Sequence, residues 1–88
     1  MPSPEVTHLL SEQRFEIHTP EGVARLDYLR RPDALAITHT FVPEGLRSRG
    51  LAELLMRAAI DLAAREQLPI DPVCSYAARF LERTRNRA

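Results

Sequence analysis

The sequence predicts an α/β domain with a mostly antiparallel sheet and the chain order β-β-β-α-β-α. Two patterns carry this prediction. Apolar residues alternate with polar ones between residues 14 and 42, and they recur at helical spacing from residue 47 onward. Eighty-eight residues suffice for one domain. We therefore assign residues 1–88 to a single domain and expect residues 1–12 to be loosely ordered.

Three strands are predicted in the first half of the chain. The first has Phe15 and Ile17 between polar residues, and the second has Ala24, Leu26 and Tyr28 in the same arrangement. Each of these two strands therefore has one apolar face.

Two short turns join the three strands into an antiparallel meander. Thr19–Gly22 and Arg30–Asp33 contain the Pro, Gly and Asp residues that make reversals. The third strand, Ala34–Val42, has only threonines and one histidine among apolar residues. We expect it to be buried on both faces at the centre of the sheet. Pro43 ends it, because proline cannot donate to the ladder of hydrogen bonds.

Helical spacing begins at Arg47 and gives an amphipathic helix. A short strand around Leu68 to Asp71 and a last helix from about Ser75 complete the predicted domain. The apolar stripe of the first helix comprises Leu51, Leu55, Ala58 and Leu62.

Composition limits the class of protein. Twelve basic and twelve acidic side chains give a formal net charge of zero, so no overall field attracts nucleic acid or an anionic membrane. Cys74 is the single cysteine, and the opening residues lack the pattern of a signal peptide, so we expect a cytoplasmic protein. The composition is that of a globular domain, which we expect to fold as a monomer or homodimer. No apolar run reaches membrane-spanning length. The three histidines and Cys74 lack metal-ligand spacing, so no metal site is predicted.

The segment between the third strand and the first helix has the composition of an anion-binding loop. The first N–H groups of a helix lack acceptors within it, and the helix dipole adds positive potential there. Gly50 lets an anion approach the main chain closely, and Arg47 and Arg49 add charge from the sides. The alternative is a capped helix with two solvated arginines. The position directly after the predicted central strand favours a phosphate site.

Two side chains have the chemistry of reactive groups. His39 can take a proton from an ammonium group at neutral pH, or it can be a buried histidine with a hydrogen-bond partner, and the sequence leaves both open. Cys74 precedes the last predicted helix, whose dipole favours a thiolate. The alternative for Cys74 is a small buried hydrophobic residue.

The segments HTFVPEGLRSRGLAELLMRAA and LPIDPVCSYAARFL resemble the small, single-domain branch of the GCN5-related N-acetyltransferases. The most specific parts are the R-x-x-G-x-A signature, the strand end HTFVP and the Cys-x-Tyr segment. The resemblance implies that the signature loop binds the pyrophosphate of acetyl-coenzyme A. Ser48 departs from the glycine usual in this branch and can cap the helix instead. The cofactor-binding residues implied in this loop are Arg47, Ser48, Arg49, Gly50, Leu51 and Ala52.

The resemblance also implies roles outside the loop. The pantetheine arm of the cofactor pairs with the main chain around Thr40, Phe41 and Val42, where an N–H group can stabilise the oxyanion. Cys74 lies near the thioester and is a suspected acyl acceptor in this branch, while Tyr76 donates a proton to the departing thiolate or only packs.

The predicted function is therefore acetyl-coenzyme A-dependent N-acetyl transfer to an unidentified amine. Direct transfer within a ternary complex, the route that the wider superfamily implies, is favoured over an acetyl-cysteine intermediate. A module that binds coenzyme A without turnover, as a sensor or interaction partner, is the alternative of a different class.

Overall fold

A computed structural model describes residues 4–85, which form a five-stranded sheet and two helices. The sheet order is β1-β2-β3-β4-β5; neighbouring strands are antiparallel except for the parallel pair β4 and β5. The predicted α/β class and the mostly antiparallel sheet are confirmed. The elements are β1 (Thr7–Leu9), β2 (Arg14–Thr19), β3 (Gly22–Arg30), β4 (Leu35–Phe41), α1 (Leu51–Arg65), β5 (Ile70–Pro72) and α2 (Ser75–Arg85).

Strand β1 is an addition to the predicted chain order. It lies within the segment expected to be loosely ordered and pairs antiparallel with the start of β2. His8 of β1 has its Nε2 atom 2.6 Å from the Tyr28 hydroxyl, and its ring stacks on Phe15 with centroids 4.3 Å apart. A three-residue strand is too short to show a period, and these contacts join residues distant in sequence. Residues 1–3 lie outside the described part of the chain.

The core lies between the two helices and one face of the sheet. The alternating apolar residues of β2 and β3 are buried as predicted, as are three of the four predicted stripe residues of α1, while Ala58 is half-buried. Helix α2 contributes Ala77 and Phe80, and the Arg57 guanidinium of α1 lies 6.0 Å from the Phe80 ring. Both helices therefore pack side by side on the same face. Within residues 4–85, neither helix combines the length and apolar character needed to cross a membrane.

Strand β4 is buried on both faces only in its first half. Leu35–Ile37 are fully buried, whereas Thr38 and His39 are exposed and Phe41 is 42% exposed. The prediction of burial through residue 42 is therefore wrong for the second half. The reason is tertiary: β5 ends at Pro72 and flanks only the first half of β4. The second half of β4 is left with one open edge.

Candidate functional site

A groove of about 460 Å³ lies between the open half of β4, the start of α1 and helix α2. This volume is in the range of small-molecule sites. Residues 40–42 form the sheet wall, and Arg47, Ser48 and residues 50–52 form the wall at the start of α1. Tyr76 and Arg83 of α2 line the opposite side. The groove therefore draws on three elements that are separate in sequence.

The open edge of β4 presents main-chain groups to this groove. The Tyr28 N–H donates to the Gln13 carbonyl on the β2 side, so the main-chain groups of its neighbour Asp27 face β4. Asp27 pairs with His39, which makes the main chain of His39 face β3 and that of Thr40 face the opposite edge. No described strand pairs with Thr40 on that edge. An extended ligand can therefore add to the sheet there.

The loop before α1 is shaped by two left-handed residues, Ser48 with φ 71° and Gly50 with φ 78°. Gly50 is the N-cap residue, and no side chain caps the helix, so the predicted capping by Ser48 is wrong. Ser48 turns the chain instead, in a conformation that glycine adopts without strain. A Cβ atom on Gly50 would meet no atom within 4 Å. The space before the first N–H groups of α1 is therefore open to an anion.

The two arginines of this loop have different neighbours. Arg47 donates from Nε to the Val42 carbonyl at 3.2 Å, which holds its side chain along the groove wall. Arg49 lies 3.6 Å from Glu21 in the turn between β2 and β3 and does not line the groove. Such an exposed ion pair contributes about 0–1 kcal/mol, so it restrains Arg49 only weakly. Arg47 is the arginine that is positioned for a ligand in the groove.

Cys74 is held at the start of α2 by two polar groups. The Ala77 N–H donates to Sγ at 3.4 Å, and the Thr40 hydroxyl lies 3.5 Å from the same sulfur. The side chain is half-buried and packs against the core. Thr40 lines the groove, so the sulfur lies directly behind the groove wall. Cys74 therefore lies at a helix start, as predicted for a reactive thiol, and packs against the core, as predicted for a small hydrophobic residue.

Tyr76 and His39 lie on different sides of the sheet. Burial raises the pKa of the Tyr76 phenol, and the nearby Arg83 guanidinium opposes part of that rise. The phenol therefore keeps its proton at neutral pH, and its role as a proton donor stays a prediction. His39 is exposed and pairs with Asp27 on the face without helices, so the alternative of a buried histidine is wrong. Its role as a base stays a prediction.

The ionic groups of the groove favour an anionic ligand. Glu53 lines the groove, but its carboxylate pairs with Arg57 at 3.0 Å. Within the described part of the chain, Arg47 and Arg83 form no salt bridge. Among residues 4–85, no group of three His, Cys, Asp or Glu side chains is placed to hold a metal ion. Two arginines without a salt-bridge partner among residues 4–85 therefore line one groove.

Comparison with known proteins agrees with these features. Residues 14–88 match the family model for the GCN5-related N-acetyl-transferases. The chain belongs to this family. The match begins at β2 and includes the whole groove, and it confirms the family assigned from the sequence. Protein NATD1 of Bos taurus is 37% identical over 46 residues, which are 52% of this chain and 41% of NATD1. The matched segment thus spans less than half the length of that relative.

In this member of the N-acetyltransferase family, most of the predicted site residues lie together. The groove is lined by every predicted cofactor-binding residue except Arg49, and by Tyr76. Cys74 lies behind Thr40, and His39 lies on the other face. Sequence reasoning missed three residues that line the groove, Leu46, Glu53 and Arg83. A signal for Arg83 was available, because it follows Tyr76 by seven residues and so lies two helical turns along the same face of α2.

Proposed function

We propose that this protein binds acetyl-coenzyme A in the groove and transfers the acetyl group to an amine. One observation carries the proposal: a single groove joins an open strand edge to an uncapped helix N-terminus. The open strand edge can pair with the amides of pantetheine, and the helix N-terminus can bind pyrophosphate. Membership of the N-acetyltransferase family supports the same ligand.

The cofactor is oriented by its two ends. Pyrophosphate accepts hydrogen bonds from the first N–H groups of α1, and Arg47 adds a charge-assisted bond from the groove wall. Pantetheine extends along β4 and pairs with the main chain of Thr40. This direction carries the thioester toward the start of α2, where Cys74 and Tyr76 lie. A main-chain N–H of the open edge then stabilises the oxyanion.

The transfer needs one proton removed and one delivered. The neutral amine nitrogen attacks the thioester carbon, the carbon–sulfur bond breaks, and the coenzyme A thiolate leaves. Tyr76, which lines the groove, gives its phenolic proton to that thiolate and regains one from solvent. His39 or an ordered water removes the proton from the amine. For His39, the amine has to approach from the helix-free face of the sheet.

The test follows release of free thiol from acetyl-coenzyme A with three acceptor classes: small amines, a lysine peptide and a peptide with a free N-terminus. A thermal shift with coenzyme A alone is measured beside it. We expect stabilisation by coenzyme A and thiol release with one class above the rate of hydrolysis. Stabilisation without thiol release would support the binding module instead. No stabilisation would contradict both.

Acetylation of the Cys74 thiol distinguishes transfer through an acetyl-cysteine from direct transfer to the amine. If the thiol takes the acetyl group first, incubation with acetyl-coenzyme A and no amine adds one acetyl mass, and Cys74→Ser removes the adduct. We expect direct transfer, because the family implies it and because the sulfur lies behind Thr40 with two polar groups bound. Intact mass spectrometry should then find no stoichiometric adduct. Cys74→Ala should lower kcat by less than about tenfold, through packing alone.

An acetyl adduct on Cys74 that an amine discharges at the turnover rate would overturn direct transfer. Thr40→Val is the matched control, since it removes the hydroxyl beside the sulfur and keeps the branched shape. Under direct transfer it should leave the mass spectrum unchanged.

A further inference from the structure

We propose that β1 is a pH-sensitive strap, which protonation of His8 in mildly acidic solution releases from the sheet. Strand β1 pairs with β2 over only three residues, and no described strand lies on its other side. Val6 packs against the core, whereas Leu10, just after the strand, is 68% exposed. So short a strand is held weakly by its backbone alone, and the side-chain contacts of His8 therefore matter for its attachment.

The hydrogen bond between His8 and Tyr28 requires a neutral imidazole. Tyr28 is 4% exposed, and among residues 4–85 its hydroxyl has one hydrogen-bond partner, the Nε2 atom of His8 at 2.6 Å. The buried O–H therefore donates to Nε2, which has to be free of a proton. A second proton on the ring turns Nε2 into a donor, so the phenolic hydrogen loses its acceptor inside the core.

The groups around His8 also disfavour a positive charge there. Burial lowers the pKa of His8, and Arg65 in the last turn of α1 lowers it further. Glu66, which follows α1, has its carboxylate paired with Arg30. Glu16 of β2 lies on the opposite face of the sheet, where its carboxylate pairs with two basic side chains. Within residues 4–85, no carboxylate forms an ion pair with His8.

These contacts make the attachment of β1 depend on pH in one direction. In a released strand His8 has its ordinary pKa of 6.5, and in the attached strand its pKa is lower. The released strand thus binds the proton more tightly, so attachment is strongest above pH 6.5 and weakens as the pH falls below that value. The family match begins at residue 14, after β1, so we expect the other four strands to remain folded when β1 is released.

Proton NMR at about pH 7.5 and about pH 5, on the two sides of the ordinary histidine pKa, provides the test. Nuclear Overhauser effects between the ring of residue 8 and the rings of Phe15 and Tyr28 report the attachment of β1. Those between the paired strands β3 and β4 report the rest of the sheet. We expect the wild type to lose the ring contacts on the acid side, over the pH range in which His8 titrates, and to keep the contacts between β3 and β4.

His8→Phe is the matched variant, because its ring can stack on Phe15 but cannot take a proton. Its ring contacts should be the same at both pH values. His18→Gln is the control for histidine titration elsewhere, since His18 is exposed and lies outside this cluster, and it should lose the ring contacts as the wild type does. Ring contacts that persist in the wild type after His8 has titrated would overturn the proposal. So would an equal loss of contacts in His8→Phe, or a loss that includes the contacts between β3 and β4.

Discussion

Gly50→Asp should abolish stabilisation by coenzyme A while the protein remains folded. The new side chain projects into open space, since a Cβ atom there meets nothing within 4 Å. Gly50 is left-handed with φ 78°, a conformation that costs most residues about 1–2 kcal/mol but that aspartate tolerates better than most. Its carboxylate places a negative charge beside the first N–H groups of α1. It thereby occupies the site and repels the pyrophosphate.

Gly50→Asn is the matched control for charge. Asparagine has nearly the same shape, also tolerates the left-handed conformation and carries no charge. It should weaken coenzyme A binding less than Gly50→Asp does, with both variants equally folded. Thermal shift and calorimetry measure coenzyme A binding to the wild type, Gly50→Asp and Gly50→Asn. Full coenzyme A affinity in Gly50→Asp would falsify the assignment of the phosphate site to residues 47–52.

Local patterns predicted most of the fold, and tertiary contacts explain the errors. Apolar residues at every second position located the meander, and apolar residues at a spacing of 3.6 located both helices, because each element has one buried face. Helix α1 begins at Leu51 and not at Arg47, since a 3-10 turn at Glu44–Leu46 and the left-handed Ser48 and Gly50 precede it. The exposed half of β4 depends on where β5 ends, which no local pattern records.

The site residues likewise divide into those that a local sequence pattern predicts and those that depend on tertiary contacts. The phosphate loop was predictable because glycine, arginine and a helix start act over a few adjacent residues. The face of His39 was not, because Thr38 is an extra residue between the pairs Tyr28–Ile37 and Asp27–His39. Regular alternation from the buried Ile37 would turn His39 toward the core, and this bulge turns it outward. A single unpaired residue thus decides the position of a candidate base.

Tyr76→Phe should lower kcat by about a hundredfold or more, the range for loss of a general acid. The phenyl ring keeps its packing on Phe80, whose ring centroid lies 6.1 Å away, so binding of acetyl-coenzyme A should change little. The loss therefore falls on kcat and not on KM. The wild-type rate should also persist to alkaline pH, because burial raises the pKa of Tyr76 above its ordinary value of 10.0 and the phenol keeps its proton.

Tyr28→Phe tests whether the loss of kcat is specific to Tyr76 or follows from removing the hydroxyl of another tyrosine that is shielded from solvent. Tyr28 lies in the core with its hydroxyl at His8 and outside the groove, and burial raises its pKa as well. Its variant should lose some stability, because His8 loses a hydrogen-bond partner, and should keep the wild-type kcat. Steady-state thiol release with a saturating acceptor compares the two variants. If kcat of Tyr76→Phe stayed within about threefold of the wild type, the proton would reach the thiolate from water, and Tyr76 would serve the groove only by packing.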